Sequence, residues 1–412
     1  MSKYTIFVSI ASYRDFELIQ TIKSCIDNVS SDAFLTFGIC NQFDENTKYL
    51  NEFKEIQSKY NNIKLKVSGI PWEGIKGVGH ARKIANELYV KSDYYLQIDS
   101  HMLFSKNWDK QLISDFEYCK TTYTSTPKPL LTGYPAAYLY KNGEIVQHTN
   151  KLSNVLVIKG WDYKHIPTFR SSNVDSYYEV LRGSFIAGGF IFTIGDFATE
   201  VLYDEEVYFT GEEILTSIKS FNKGYRVFHP TKWCVWHHYG DRAISDDKKA
   251  RRVWQDTPED EKLKKLRSNN YSNSIKWISN WIQNNEISAF EKHAAISFIH
   301  QLVHPEALRL GCYWVNNKDW VEEYYPIKNY VCDLAIYVKD INRDNFKYGV
   351  ITMFNITGAI THQFRCDKYE QLDNIEFQSR NGLGKIQLYI MKQGVDTWEP
   401  LIEIKHVNYK EI

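Results

Sequence analysis

Residues 94–102 read YYLQIDSHM, a short apolar segment that ends in an acid, a serine and a histidine. Three other short β-prone runs precede it, at residues 4–10 (YTIFVSI), 34–40 (FLTFGIC) and 62–68 (NIKLKVS). The runs are separated by segments of helical composition, at residues 15–27, 45–60 and 78–90. This alternation of buried strands and helices predicts an α/β, Rossmann-like fold with a mostly parallel sheet.

The end of the fourth strand is the strongest candidate site, because open α/β sheets bind ligands beyond the carboxyl ends of their strands. Asp99 and His101 lie two residues apart there, on either side of Ser100. A carboxylate and an imidazole can share one cation and suit Mn²⁺, with Mg²⁺ as the alternative. The spacing also occurs by chance, as a capping acid followed by a surface histidine. Its position in the fold is what favours a metal site.

Two further segments contain candidate phosphate or nucleotide contacts. GVGHARKIAN at residues 77–86 opens a helix near Gly79 and Arg82, and both helix N-termini and guanidinium groups favour phosphate oxygens. SIASYRD at residues 9–15 ends the first strand, and its candidate nucleotide contacts are Ser9, Ala11, Ser12 and Arg14. Helix capping is the alternative interpretation for Ser12 and Asp15.

The segment from residue 182 to residue 240 contains the remaining candidates. Glu212 and Glu213 precede a helix, where carboxylates either favour the helix dipole or bind sugar hydroxyls. Two glycines in RGSFIAGGFIF mark places where the backbone could lie close to a sugar, Gly188 and Gly189. In WHHYG, adjacent histidines point to opposite sides of an extended strand, so one of His237 and His238 faces a metal.

Composition limits the classes of function. The chain has 412 residues, 43% of them hydrophobic, with 50 Lys and Arg balanced by 50 Asp and Glu. A net charge of zero gives no general attraction for nucleic acid or anionic membrane. The seven cysteines form no CxxC pair, so neither a disulfide framework nor a thiolate zinc site is indicated. With no signal peptide or transmembrane segment predicted, a cytoplasmic enzyme is expected.

Three parts are predicted along the chain: a catalytic domain over residues 1–245, a helical connector over 246–320 and a β-rich module over 321–412. The last part contains the β-prone runs CDLAIYV, YGVITMF, KIQLYIM and LIEIKHV, with a turn signal at Asn381-Gly382. These features predict a β-sandwich-like C-terminal module.

Between residues 4 and 245, seven sequence blocks occur in the same order as in a known family. They are SIASYRD, FGICNQ, ARKIANELY, YYLQIDSHM with Trp108-Asp109, residues 182–190, FTGEEI and the histidines His237 and His238. The chain resembles the cytoplasmic glycosyltransferases that add α-linked N-acetylglucosamine to hydroxyproline of a ubiquitin-ligase adaptor protein. It is more distantly similar to the polypeptide N-acetylgalactosaminyltransferases. The resemblance implies a GT-A type catalytic domain and a retaining transfer from a UDP-sugar to a hydroxyl of a protein or glycan acceptor.

The same resemblance implies residue roles. Asp99, His101 and His237 would bind the metal, with His238 as the alternative third ligand. Ser100 would lie against the ribose or phosphate, and Arg82 against the diphosphate or donor sugar. Glu212 would bind sugar hydroxyls, and Glu213 stands where the distant relatives have asparagine. The predicted catalytic residues are therefore Arg82, Glu212 and Glu213.

Two other functions fit some of these features. The first is a carbohydrate-binding protein with a degenerate transferase domain, which intact Asp99, His101 and Glu212 argue against. The second is a metal-dependent phosphohydrolase, which usually needs more than one carboxylate-rich metal shell.

Overall fold

The structure is a computed structural model. It describes residues 3–124, 128–141, 143–148, 154–161, 166–173, 180–239, 243–245, 248–249, 261–304, 307, 328–338, 343–354, 360–373, 375–379, 384–392, 402–405 and 409–411. The chain divides into two compact units. The first comprises residues 1–157, 170–290 and 309–312, and the second comprises 158–169, 291–308 and 313–412. The three-part division expected from the sequence stays a prediction.

Eight helices are described: α1 (Leu18–Asn28), α2 (Leu50–Lys59), α3 (Val78–Glu87), α4 (Trp108–Thr122), α5 (Phe197–Glu200), α6 (Glu212–Asn222), α7 (Glu261–Asn284) and α8 (Ser288–Ala294). The strands up to residue 249 are β1 (Tyr4–Tyr13), β2 (Ala33–Phe43), β3 (Ile63–Pro71), β4 (Tyr94–Asp99), β5 (Met102–Phe104), β6 (Lys128–Thr132), β7 (Ala136–Lys141), β8 (Glu144–Gln147), β9 (Asn154–Trp161), β10 (Pro167–Asn173), β11 (Leu181–Arg182), β12 (Phe190–Ile194), β13 (Tyr225–His229), β14 (Val235–His238), β15 (Ala243–Ser245) and β16 (Lys248–Lys249). The later strands are β17 (Ile296–Ser297), β18 (Leu302–Val303), β19 (Lys328–Cys332), β20 (Phe346–Phe354), β21 (Ile360–Cys366), β22 (Ile375–Ser379), β23 (Lys385–Lys392), β24 (Ile402–Ile404) and β25 (Tyr409–Glu411).

An eight-stranded sheet forms the centre of the first unit, with strand order β11-β13-β6-β12-β4-β1-β2-β3. The pairs β1/β2, β1/β4, β2/β3 and β6/β13 are parallel, whereas β12 runs antiparallel to both β4 and β6. The sheet is therefore mixed and mostly parallel, which confirms the predicted α/β class. Its carboxyl edge brings Tyr13, Phe43, Pro71 and Asp99 to the same side of the unit.

The core explains why these segments form strands and helices. Residues 6–10 of β1 are fully buried, as expected for a parallel strand covered on both faces. α1 packs on the sheet through residues spaced at helical intervals, Leu18, Ile22, Cys25 and Ile26. Burial of these apolar faces fixes the position of each strand in the sheet. It therefore also fixes the position of the strand ends that carry the candidate site.

A smaller sheet of four strands, in the order β5-β14-β7-β8, lies in the same unit. β14 runs antiparallel to β5 and parallel to β7. Only two residues separate the end of β4 from the start of β5, so this sheet connects directly to the end of the fourth strand. The apolar stretch at residues 226–236 is divided between two strands, β13 and β14, which belong to different sheets.

The second unit is rich in β-structure, as predicted. The four strands β21-β20-β23-β24 form one sheet and β22-β19-β25 another, and apolar residues from both sheets share one core. CDLAIYV is not the expected strand, because β19 ends at Cys332 and a 3₁₀ turn covers Ala335–Tyr337. The predicted turn at Asn381-Gly382 lies outside the described residues.

The helical connector differs from its prediction in detail. Within the predicted range of 246–320, the described residues form two helices, α7 and α8, followed by the short strands β17 and β18. In the part of the chain that the structure describes, no helix is long and apolar enough to cross a membrane.

Candidate functional site

Three side chains predicted as metal ligands converge at the end of β4. Asp99 is the last residue of β4, and His101 lies in the turn that leads into β5. His237 lies on β14, where it is opposite Met102 of β5. One ligand atom from each of Asp99, His101 and His237 lies within 4.8 Å of the others, and this is the one such cluster among the described residues.

The distances within this cluster are short. Nε2 of His237 is 3.3 Å from Oδ2 of Asp99, and Nε2 of His101 is 4.0 Å from the same oxygen. The two imidazole rings meet edge to face, with their centroids 4.6 Å apart. The Asp99 side chain remains 28% exposed, so a ligand can reach the cluster from solvent.

Asp99 is held as a carboxylate. Burial by itself would raise its pKa, but the hydrogen bond with His237 and the nearby positive charge of Arg82 outweigh it. The pKa of Asp99 therefore lies well below its usual range. Nη2 of Arg82 is 3.2 Å from Oδ1 of Asp99, on the oxygen that does not face the histidines.

Arg82 lies between two carboxylates. Its Nε is 2.5 Å from Oε1 of Glu212, and both side chains are less than a tenth exposed. Burial opposes the charge of the guanidinium, but Glu212 and Asp99 together raise the pKa of Arg82. Burial also raises the pKa of Glu212. This ion pair connects α3 to the start of α6 directly behind Asp99.

Glu213 has different partners from Glu212: it is hydrogen-bonded to neutral groups and not paired with Arg82. The Gly188 amide donates to Oε1 of Glu213 over 3.0 Å, and the Tyr134 hydroxyl donates to Oε2 over 3.0 Å. Burial raises the pKa of Glu213 to about 7, and the neighbouring Glu212 charge acts in the same direction. A carboxyl group that titrates near neutrality and lies beside a candidate metal cluster is a candidate functional group.

The two glycines are needed for close approach to carboxylates. A Cβ on Gly189 would lie 2.5 Å from Oδ2 of Asp99, and one on Gly188 would lie 2.9 Å from Oε2 of Glu212. Below 3.0 Å a neighbouring atom must move. The sequence predicted a backbone lying close to a sugar. The structure shows the same backbone packed against the two acids of the site.

His238 faces the opposite side of β14. It is buried, with Nδ1 2.8 Å from Oε2 of Glu17, and its ring stacks on Tyr138. The Tyr138 hydroxyl donates to the other Glu17 oxygen over 2.6 Å. The pattern of alternate faces thus brings His237, and not His238, to Asp99 and His101.

The first strand and its exit contain the predicted nucleotide contacts. Ala11 pairs with Asp99 across the two strands. The Ser9 hydroxyl donates to Asn86 in the interior, and Ser12 is also buried. Arg14 pairs with Asp44 and stacks over the Trp72 ring at 4.3 Å.

Two other residues predicted to bind the donor, Gly79 and Ser100, form hydrogen bonds within the protein. The Gly79 amide donates to the Val207 carbonyl over 2.9 Å, at the start of α3. The Ser100 hydroxyl donates to Asp15 over 2.7 Å. Roles in donor binding for Gly79, Ser100 and the residues of the first strand stay predictions.

Some residues at this site were not singled out from the sequence. Gln97 donates to the Gly188 carbonyl over 2.8 Å and accepts hydrogen bonds from Tyr95 and Tyr203. This buried network fixes the Gly188 peptide beside Glu213. A buried glutamine within an apolar strand is the one sequence signal that could have indicated it.

The donor set fits a divalent metal. One carboxylate and two imidazoles offer both oxygen and nitrogen, a mixture that suits Mn²⁺ better than Mg²⁺, which prefers oxygen alone. Asp99 is ionised without a metal, and His101 has its Nε2 on the side of Asp99 and His237. The residues present therefore fit the predicted ion.

Comparison with known families decides the class of protein. The family model described as Glycosyltransferase (GlcNAc) matches residues 5–59 and 44–325, well over half of the chain. The chain belongs to this glycosyltransferase family. Membership of this family confirms the predicted enzyme class, a glycosyltransferase, and the mostly parallel central sheet confirms the predicted α/β class.

Solved structures include distant neighbours of this glycosyltransferase. GalNAc-T7, crystallised with UDP, GalNAc and Mn²⁺, is 17% identical, with a TM-score of 0.44 over 70% of this chain and 58% of that chain. This chain thus spans little more than half of GalNAc-T7. Residues 1–349 of TarS from S. aureus are 12% identical, with a TM-score of 0.33 over 70% of this chain and 74% of that chain. No curated protein matches the sequence.

Proposed function

We propose that this glycosyltransferase is metal-dependent and retaining, and that it transfers N-acetylglucosamine or a related hexose from a UDP-sugar to a hydroxyl of a protein or glycan acceptor. The single observation that supports this most strongly is the convergence of Asp99, His101 and His237. Following the resemblance of the sequence, hydroxyproline belongs to the acceptor class, and the cytoplasm is the proposed location.

The ligands of the ion would be Asp99, His101 and His237. A bound Mn²⁺ supplies charge neutralisation for the diphosphate leaving group. The chain itself supplies a carboxylate whose ionised form is held by Arg82, and two imidazoles whose rings are fixed by packing. Preorganised charge of this kind needs no rearrangement when the reaction occurs.

Glu212 and Glu213 would orient the donor sugar. Glu212 is ion-paired with Arg82 and Glu213 is hydrogen-bonded to Tyr134 and Gly188, so both carboxyl groups have fixed directions. A carboxylate accepts two directed hydrogen bonds from sugar hydroxyls. Holding the sugar in one orientation is itself a large contribution to rate.

No protein residue is required as a general base in this proposal. When the bond from the anomeric carbon to the UDP oxygen breaks, the acceptor oxygen forms its bond on the same face. The departing phosphate oxygen takes the acceptor proton, which balances the reaction. The side chains therefore act by positioning and by charge, and not as nucleophiles.

UDP release from a panel of UDP-sugars, with and without Mn²⁺, tests the proposal. Because a bound metal contributes several kcal/mol and each 1.4 kcal/mol is about tenfold in rate, Asp99→Asn should lower release on the order of 100-fold or more. Asp115→Asn is the matched control, since Asp115 is a buried acid that contacts Thr231 and not the cluster. Mn²⁺-independent release, or wild-type activity in Asp99→Asn, would refute the metal site.

A further inference from the structure

Asp15 lies at the point where the chain leaves β1. Arg14, the residue before it, has a left-handed φ of 47°, which is uncommon for a residue other than glycine. The backbone therefore turns sharply after Tyr13 and directs the Asp15 side chain toward the turn that follows β4. Asp15 is only 3% exposed.

Each oxygen of this buried carboxylate is engaged. Oδ1 accepts the Glu17 amide over 2.9 Å. Oδ2 accepts the Ser100 hydroxyl over 2.7 Å and lies 2.7 Å from Nδ1 of His101. One oxygen therefore holds the backbone just before α1, whose N-cap is Glu17 and not Asp15. The other oxygen contacts the candidate metal site.

We propose that Asp15 is a positioning residue that fixes the tautomer and ring direction of His101 for metal binding. The inference rests on the proposed function, because it gives Asp15 a role only if His101 is a ligand. Nothing in the reaction requires Asp15 to touch the substrate or the ion.

The chemistry follows from what a carboxylate can do. It accepts hydrogen bonds and has none to give, so Nδ1 of His101 must carry the proton. In the neutral ring the other nitrogen, Nε2, then keeps its lone pair, and it is the nitrogen that lies 4.0 Å from Oδ2 of Asp99. Carboxylates that hold the second nitrogen of a ligating histidine typically contribute 10- to 100-fold in metal affinity.

A purely structural role for Asp15 would have a different signature. Thr21 holds the same turn from α1: its hydroxyl donates to the Ser100 carbonyl over 2.8 Å and accepts the Met102 amide over 2.8 Å. These contacts order the backbone of the turn and leave the His101 tautomer undetermined. Thr21→Val is therefore the matched control, since it loosens the turn and keeps the Asp15 carboxylate.

The test compares Asp15→Asn with Thr21→Val in two measurements. The first is Mn²⁺ affinity in the presence of UDP, followed by the electron paramagnetic resonance of free Mn²⁺. The second is the ¹⁵N shifts of the His101 ring in metal-free, ¹⁵N-histidine-labelled protein, assigned with His101→Gln among the 12 histidines.

We expect Asp15→Asn to weaken Mn²⁺ binding about 10- to 100-fold and to shift His101 toward the tautomer protonated at Nε2, because the asparagine amide can donate to Nδ1. Thr21→Val should leave the tautomer as in the wild type. Affinity within twofold of the wild type in Asp15→Asn, or equal changes of both readouts in the two variants, would overturn the proposal.

Two outcomes separate this inference from the proposed function. If the wild-type protein binds no Mn²⁺ in the presence of UDP, the metal-dependent function is wrong and the inference falls with it. If the wild type binds Mn²⁺ but its metal-free, neutral His101 is protonated at Nε2 and not at Nδ1, only the role of Asp15 is wrong. The second result needs no variant, so it remains decisive even if Asp15→Asn does not fold.

Discussion

The contact between Gly189 and Asp99 gives a sharp test of the site. In Gly189→Ala the new Cβ would lie 2.5 Å from Oδ2 of Asp99, whereas ordinary contact begins at 3.4 Å. The Gly189 φ is not in the left-handed region, so the effect is steric and not one of backbone strain. The Asp99 carboxylate or the Gly189 backbone has to move.

The atom that the new Cβ displaces determines which property of the enzyme should change. Oδ2 is the oxygen that faces both Nε2 of His237 and Nε2 of His101. Overpacking of an interior typically costs about 1–3 kcal/mol. If this cost falls on metal binding, the Mn²⁺ concentration for half-maximal activity should rise about 5- to 150-fold.

The assay is UDP release as a function of Mn²⁺, together with urea unfolding of each variant. Gly349→Ala is the neutral control, because its nearest neighbour would be 3.4 Å away and it lies in the second unit. In Gly188→Ala the new Cβ would lie 2.9 Å from Oε2 of Glu212. This variant should therefore change the KM for the donor more than the Mn²⁺ requirement. A Gly189→Ala variant with the Mn²⁺ requirement and stability of the wild type would show that the close contact does not constrain Asp99.

Two further predictions follow from the same region. His237→Ala should raise the Mn²⁺ concentration needed for half-maximal activity far more than His238→Ala does. Because His238 is buried against Glu17 and Tyr138, His238→Ala should mainly lower the stability to urea. If the two effects were reversed, His238 would be the metal ligand. The raised pKa of Glu213, about 7 against 4.5 ordinarily, means that the folded protein binds this proton more tightly than the unfolded chain. Its contribution to stability is therefore full below about pH 4.5 and is lost as the pH rises through about 7. Urea unfolding from pH 4 to 9 should show this loss in the wild type but not in Glu213→Gln, and a difference between the two that does not vary with pH would contradict it.

The elements of the first hundred residues could be predicted from the sequence because their signals are local. An apolar run such as residues 4–10 and the helical spacing of residues 15–27 depend on neighbours within a few positions. The start of β4 and its end at Asp99 could also be predicted from the sequence. The same holds for the location of the candidate ligands at the carboxyl edge of the sheet. The family resemblance added the order of the later motifs.

The tertiary structure alone decided which side chains meet. His237 is 138 residues from Asp99, and it faces the cluster because β14 pairs with β5 in a register that places it opposite Met102. A shift of one residue in that register would exchange His237 for His238, and no local signal specifies it. Likewise, the sequence indicated that Arg82 could bind the diphosphate or donor sugar, and only packing shows that it lies between Asp99 and Glu212. Local sequence patterns specify the segments and the chemical groups they offer, whereas long-range strand pairing and burial specify which groups become partners.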